Sequence, residues 1–300
     1  MPKRIAVAGA AGDVGLTIVS AFLSNGYTVT ALTRQGPNNS SRLPRHDDLQ
    51  VVEVDYTSVP SMTRALKDTF MVVSTLTTAF VGDQIPLIDA AVAAGVKRFI
   101  PSEYGSDVYN AKRNALPVFA GKVKTHEHLK KVAAANPDFS YTIICCGPFL
   151  DWSFNGFVLN VPEHSAVVYN GGNVRYSTAN LDSVGRAVVN VVRKFDDTAN
   201  RPVYIQDAIV TQNEMIQYAK DKDGKEWDLV HKSTDDMYDA AMKELAKGNT
   251  DFATMMGFIF SAGFGEGYGL DFSDHLDNEL LGIEGLTKDG VRAVVERYLK

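Results

Sequence analysis

The chain has 300 residues, 45% of them hydrophobic, enough to bury a sizeable core as one large domain or two closely joined ones. A net charge of −6, with no Lys/Arg block or basic–aromatic stripe, excludes a nucleic-acid partner. No apolar stretch reaches the roughly 18 residues that would span a bilayer, which excludes a membrane role. The only cysteines, Cys145 and Cys146, are adjacent inside an apolar run, which argues against a structural disulfide. Met1 to Arg4 run straight into a strand without the apolar region of a leader, so the expectation is a soluble cytoplasmic protein. The Asn-x-Ser matches at Asn38 and Asn39 then carry no meaning.

The first half alternates short apolar runs with segments of helical period. Strands are predicted at Arg4–Ala8, Thr28–Thr33, Gln50–Val54, Met71–Ser74, Arg98–Pro101 and Tyr141–Cys146. Helices are predicted between them at Val14–Asn25, Ser61–Lys67, Gln84–Ala94 and Pro117–Ala134. The strands are rich in Val and Ile without clean alternation, as in a parallel sheet covered on both faces. After Phe149 the rhythm loosens. Strands are predicted at Ala166–Tyr169, Val174–Ser177 and Pro202–Gln206. Helices fit Leu181–Lys194, Thr211–Asp221, Thr234–Lys247 and Thr250–Phe260, and a last one starts after Thr287 as its N-cap. Gly263–Gly269 reads as a mobile loop. The fold class is α/β, a doubly wound parallel sheet of the Rossmann type over residues 1–149. A smaller substrate-binding part over 150–300 interleaves with it.

The stretch GAAGDVG, Gly9 to Gly15, follows the first strand and opens the first helix. Gly9 allows the sharp turn, Gly12 lets backbone approach a pyrophosphate, and Gly15 lets the helix pack close to the sheet. The helix start offers unpaired N–H groups to phosphate, and Ala11, Asp13 and Val14 belong to the same cradle. The alternative is a purely structural strand–helix turn. An NAD-preferring site usually ends the second strand in Asp or Glu, whereas this chain has Thr33-Arg34. A guanidinium there would clamp a 2′-phosphate, with Asn39, Ser40, Ser41 and Arg42 as further donors, so NADP(H) is the favoured cofactor. The alternative is a solvated Arg34. Asp55 and Tyr56 lie where an adenine edge would rest, and Thr75 beside the adenosine ribose.

The Tyr-x-x-x-Lys pair of short-chain dehydrogenases occurs only as Tyr218–Lys222, far past the sheet, and Tyr109 has Arg113 four residues on. Another group must handle protons. GVKRFIPSEYGSD (Gly95–Asp107), then FAGKVKTHEHLK (Phe119–Lys130), with the glycine turn and Arg34, resemble the isoflavone reductase-like family. That family is an atypical branch of the short-chain dehydrogenases within the wider NmrA-like group, and it includes the phenylcoumaran benzylic ether reductases. The resemblance covers the first half well and continues through YIQDAIVTQNEMI (Tyr204–Ile216). It implies that Lys122, in a Phe-x-x-Lys frame with Phe119, is the general acid/base.

The chemistry is reasonable in its own right. A lysine has a pKa of about 10.4, which burial and an oxidised nicotinamide would both lower. The alternatives are a contact to the nicotinamide ribose alone, or a surface lysine beside Lys124. Two departures stand out: His126 replaces the Arg often found four residues after the lysine, and Gly147-Pro148-Phe149 begins a rebuilt cofactor-side wall. This version looks closer to fungal members. Phe149, Trp152, Phe154 and Phe157 suit an aromatic or polyketide-like substrate, or else are ordinary core. Glu103, Tyr104 and His126 are further candidate substrate contacts, although Ser102 and Glu103 would equally cap their loop.

The expected function is an NADPH-dependent reductase that sends hydride to an activated C=C, C=O or benzylic carbon of a small aromatic molecule. A homodimer is compatible with it. Two other readings stay open: a non-catalytic dinucleotide-binding redox sensor, and an isomerase or cyclase with a structural cofactor. No metal is expected. In His126-Glu127-His128, residues two apart on a helix point to different sides. Asp221–Gly224 fails as a calcium loop because its glycine comes too early. Ser102 lacks the elbow of a hydrolase nucleophile.

Overall fold

A computed structural model describes residues 3–36, 40–77 and 84–299. Strand β1 (Arg4–Ala8) feeds helix α1 (Asp13–Ser24). There follow β2 (Thr28–Arg34), β3 (Leu49–Val54), α2 (Val59–Ala65), β4 (Met71–Ser74), α3 (Ile85–Ala93) and β5 (Arg98–Ile100). A short α4 (Ala111–Asn114) then precedes α5 (Ala120–Ala135) and β6 (Ser140–Cys145). Later come β7 (Ser165–Tyr169), β8 (Tyr176–Thr178), α6 (Leu181–Arg193), β9 (Arg201–Tyr204) and β10 (Ala208–Val210). The chain ends with α7 (Gln212–Asp223), β11 (Asp228–Lys232), α8 (Thr234–Ala246), α9 (Phe252–Phe264), α10 (Asn278–Leu281) and α11 (Lys288–Tyr298).

Among the described residues the main sheet has the order β3-β2-β1-β4-β5-β6-β9, and every neighbouring pair is parallel. Strands β1 and β4 carry side chains into both layers. Ile5 and Val7 meet Ile18, Val19 and Phe22 of α1 and Val184 and Val188 of α6. Ala6 and Ala8 meet Leu87 and Ile88 of α3 and Leu129 of α5 on the other face. Each such buried aliphatic contributes roughly 1.5–3 kcal/mol. This double coverage is why the strands show no polar alternation. The fold is the expected doubly wound α/β sheet. Its strand order reverses between β1 and β4, so their carboxyl ends open a crevice at the switch point.

Residues beyond 149 enter the main layers through α6, which packs on α1, and β9, which pairs with β6. Beside them lie two small sheets, β10 antiparallel to β8 and β11 parallel to β7. Neither β10 nor β11 was anticipated: one has three residues, and the other is mostly exposed and polar. The expected mobile loop at Gly263–Gly269 is corrected. Helix α9 starts at its N-cap Asp251 and runs on through Gly263 to Phe264. The remainder is tied down, with Lys112 Nζ donating to Glu266 O at 2.9 Å, Asn110 Nδ2 to Gly267 O at 3.0 Å, and the Asp107 amide to Gly269 O at 3.0 Å. No helix among the described residues is long and apolar enough to cross a membrane.

Candidate functional site

The three glycines of the first turn do different work. Gly9 has φ +78°, and a Cβ on it would lie 2.7 Å from Thr75 O. A Cβ on Gly15 would lie 2.3 Å from Gly9 O. Both glycines are therefore demanded by the packing of α1 and β4 on the turn. Gly12 is not: its φ is −79°, and a Cβ there would meet only Gly9 O, at 3.5 Å. Gly12 is also the N-cap of α1 and makes no side-chain cap. Arg42 braces the turn, donating to Ala11 O at 2.9 Å and Asp13 Oδ1 at 2.8 Å. Thr75 is fixed by its amide and hydroxyl, both donating to Ala8 O at 2.8 Å.

Gly12, Asp13, Val14, Arg42 and Thr75 line one end of a cavity of about 510 Å³. Thr33, Arg34, Asp55 and Tyr56 lie at the carboxyl ends of β2 and β3 and are outside its wall. Arg34 is exposed, and the Tyr56 hydroxyl donates to Leu32 O at 3.1 Å. Asp55 accepts the Thr57 hydroxyl and amide, and these bonds hold its pKa below the ordinary value. Asn39 and the Asn38 and Asn39 glycosylation matches lie outside the described residues.

The floor of the cavity is a buried charge cluster. Lys122 stands in the first turn of α5, with its side chain 12% exposed. Its Nζ donates to Glu103 O at 2.6 Å and lies 3.2 Å from Glu103 Oε1. The Glu103 side chain is fully buried. Arg113 of α4, also fully buried, pairs with the same Oε1, and its guanidinium stacks 4.0 Å over the Phe119 ring. His126 Nε2 lies 3.0 Å from Oε2, although that oxygen has no aligned hydrogen bond. Burial alone would raise the Glu103 pKa, but the Lys122 and Arg113 charges, with a further contribution from His126, outweigh it and hold the carboxyl well below the usual range. Burial, helped by Arg113, draws Lys122 below its ordinary value against the upward pull of Glu103. An amine so placed can give or take a proton nearer neutrality than a free lysine.

Of the three other candidate substrate contacts, Glu103 and Tyr104 line the cavity and His126 does not. The Glu103 carboxylate is spent on Lys122, in the wall, and on Arg113 behind it. Tyr104 has a left-handed backbone, φ +45°, and a buried ring whose hydroxyl donates to Ser74 O at 3.3 Å. Such a backbone costs about 1–2 kcal/mol and recurs where a site constrains its loop. His126 faces Glu103 and is absent from the main cavity wall. His128 points elsewhere, to Asp89 Oδ1 at 2.6 Å.

The far wall is apolar. Gly147, Pro148, Phe149 and Trp152 line it, and the Phe149 and Trp152 rings meet edge to face at 4.7 Å. Gly147 has φ +66°, and its Cβ would lie 1.9 Å from Ser177 O, so it too is demanded by packing. Phe157 lines the wall. Phe154 does not: it is fully buried and stacks on Tyr298 at 4.1 Å, so its expected substrate role is corrected to core packing. Sequence reasoning missed Arg113, which has no periodic context, and Ile259, Ala262, Gly263 and Leu270, which arrive from more than a hundred residues away. The signal for the latter was α9 itself, FATMMGFIFSAGF, apolar beyond one stripe and carrying small residues.

The NmrA-like family profile matches residues 1–255. The chain is 31% identical over 302 aligned positions to oxidoreductase aprR of Aspergillus flavus, covering 98% of this chain and 99% of that protein. It is 28% identical over 244 positions to the phenylcoumaran benzylic ether reductase Betv6 of Betula pendula, covering 76% and 77%. In fold it resembles the binary complex of leucoanthocyanidin reductase with NADPH from Vitis vinifera, with a TM-score of 0.79 at 22% identity over 99% of each chain. The sheet order, the glycine turn and the profile agree: the chain belongs to the NmrA-like family, and its named relatives are oxidoreductases.

Proposed function

We propose that this protein is an NADP(H)-dependent reductase that delivers hydride to an activated C=C, C=O or benzylic carbon of an aromatic, phenolic or polyketide-like small molecule, with Lys122 handling the proton. The observation that carries the reading is the place of the Lys122 amine. It sits in the wall of one cavity that joins the glycine turn to the aromatic residues Phe149, Trp152 and Phe157. The residues at the turn fit a dinucleotide. Among the described residues only Gly9 O, at 3.5 Å, comes within contact of the space left by the missing Cβ of Gly12, and the start of α1, without a side-chain cap from Gly12, offers N–H groups to a pyrophosphate.

The nicotinamide, when bound, supplies the hydride. Arg34 and Arg42 are the donors for a 2′-phosphate, with Arg42 already seated on the turn. Lys122, as the ammonium, gives its Nζ proton to a substrate oxygen, and Glu103 O holds the amine in place for it. The aromatic wall orients the ring of the substrate and excludes water from it. A redox sensor would need no such cavity at Lys122. It would bind both cofactor forms and turn nothing over.

Titration with NADPH, NADP⁺ and NADH, for wild type and Arg34→Ala, tests the cofactor. The reading expects tight NADPH binding and a loss of at least about tenfold in Arg34→Ala, roughly 1.4 kcal/mol. Aromatic carbonyls and enones are then screened with wild type and Lys122→Met. Turnover by wild type and none by Lys122→Met, with NADPH binding kept in both, supports the proposal. Equal turnover by both removes Lys122 from it, and absence of dinucleotide binding overturns it whole.

A further inference from the structure

We infer that His126 sets the proton affinity of Lys122 by sharing the carboxylate of Glu103 with it, so that His126 is a positioning residue of this site. The inference rests on the reading of Lys122 as the proton-handling group. Lys122 and His126 are four residues apart on α5 and so share one face. That face looks onto a single buried carboxylate. Oε1 is taken by Arg113 and Lys122, and Oε2 faces His126 Nε2. The His126 ring is nine-tenths buried. Its free side opens on a second cavity of about 140 Å³, which also reaches Tyr109, Glu127, Lys130 and Tyr141. Tyr109, Glu127 and Lys130 are exposed, so this second cavity connects the ring with solvent independently of the main cavity. The thiols of Cys145 and Cys146 are the other titratable groups near Glu103, and burial pushes both up, so they stay neutral across the working range.

One carboxylate therefore serves three basic groups. Arg113 cannot release its proton under any ordinary condition. With His126 neutral, the Glu103 charge is left to Arg113 and Lys122, and the ammonium form of Lys122 is favoured. With His126 protonated, its charge draws on Oε2 and adds a like charge to the cluster, so Lys122 sheds its proton more readily. No proton has to pass along the chain. The imidazolium acts by its charge alone, from outside the space that substrate and cofactor would fill.

The test is the labelling rate of Lys122 by reductive methylation, read by peptide mass spectrometry between about pH 5 and 10 on the whole protein without cofactor. The exposed Lys131 serves as internal reference. Below its midpoint a lone amine labels about tenfold faster per pH unit, since only the free amine reacts. His126→Arg carries a fixed cation and His126→Gln none. The His126→Arg midpoint is expected about one pH unit below that of His126→Gln. Wild type is expected to lie between the two lines, nearest the His126→Arg line at the acid end.

Coincident lines for the two variants overturn the inference. If His126→Arg does not give a cooperative thermal melt, wild type against His126→Gln decides alone: coincident lines throughout overturn it, and a wild-type line displaced from that of His126→Gln at the acid end supports it. The readout uses no turnover. Coincident lines in a protein that still reduces substrate through Lys122 remove His126 and leave the reductase reading standing. Separated lines in a protein that never turns over do the reverse.

Discussion

Replacing each glycine of the first turn by alanine should separate the fold from the cofactor. At Gly15 the new methyl would lie 2.3 Å from Gly9 O and 2.8 Å from the Ala10 Cα, both backbone atoms that cannot swing aside. Helix α1 would have to lift off β1 by roughly 1 Å, which loosens Ile18, Val19 and Phe22 from the sheet at a cost of about 2–3 kcal/mol. For a chain of this size that lowers the melting temperature by about 3–5 °C. Gly9→Ala should cost a similar amount, since the left-handed backbone alone is worth about 1–2 kcal/mol against a Cβ. Gly12→Ala is different. Its backbone suits any residue and its methyl has room, so only the poorer N-cap propensity of alanine counts, about 1 kcal/mol or less. That methyl nevertheless stands in the space proposed for the pyrophosphate and should weaken NADPH binding at least tenfold, about 1.4 kcal/mol. Thermal unfolding by circular dichroism and an NADPH fluorescence titration measure the two effects. A Gly12→Ala protein that melts as low as Gly15→Ala, or that binds NADPH like wild type, refutes the reasoning.

Other perturbations follow from the buried cluster and the cavity wall. The Glu103 pKa lies below its ordinary 4.5 in the folded chain, so the stability it brings is complete above that pH and is lost as pH falls through the folded value. The gap in melting temperature between wild type and Glu103→Gln should therefore be widest near neutrality and narrow below about pH 4.5; a constant gap down to pH 3 would count against the ion pairs. Arg113→Met strands that carboxylate and should cost about 3–5 kcal/mol, read by urea unfolding; a loss under about 1 kcal/mol would show that Lys122 suffices as its partner. Of the two tryptophans, Trp227 is buried while Trp152 is 47% exposed and lines the cavity. NADPH should quench Trp152 emission, and Trp152→Phe should remove most of the quench while moving the affinity by no more than about threefold. A quench that survives in Trp152→Phe would place the cofactor elsewhere.

The core sheet was legible because its physics is local. Strands buried on both faces must be apolar along their whole length, and β1 and β4 fall on the runs Arg4–Ala8 and Met71–Ser74 to the residue. Most of the predicted helices lie within about two residues of their observed bounds, as side-chain periodicity allows. What failed was β10 and β11. A three-residue strand has no period to detect, and β11 (DLVHK) leans on β7 with most of its residues in solvent, so burial wrote no pattern into it. The run Leu150–Phe157 misled for a related reason. It passes through a 3-10 turn and then irregular chain, with a period of neither two nor 3.6, so spacing could not tell Phe157, in the wall, from Phe154, in the core.

The site divides along the same line. The glycine turn is contiguous, and its spacing alone states which residues must lack a Cβ, although only the structure separates the glycines that packing needs from Gly12, which it does not. Lys122 came from the resemblance, not from any pattern of charge. Arg113 came from nothing: it sits in a four-residue helix, ten residues past the carboxylate it pairs with, and reads as surface. Yet Arg113 is one of the partners that make burial of Glu103 tolerable, since a carboxylate taken from water without a partner costs several kcal/mol. A lysine with Glu103 alone would be a neutral pair with its ammonium firmly held. Adding a second fixed cation to the same oxygen leaves an excess of one positive charge in a place that disfavours charge, and the lysine is the member that can shed it. The proton exchange proposed for Lys122 would thus be a property of three residues on separate elements meeting in space, and no reading of any one of them along the chain contains it.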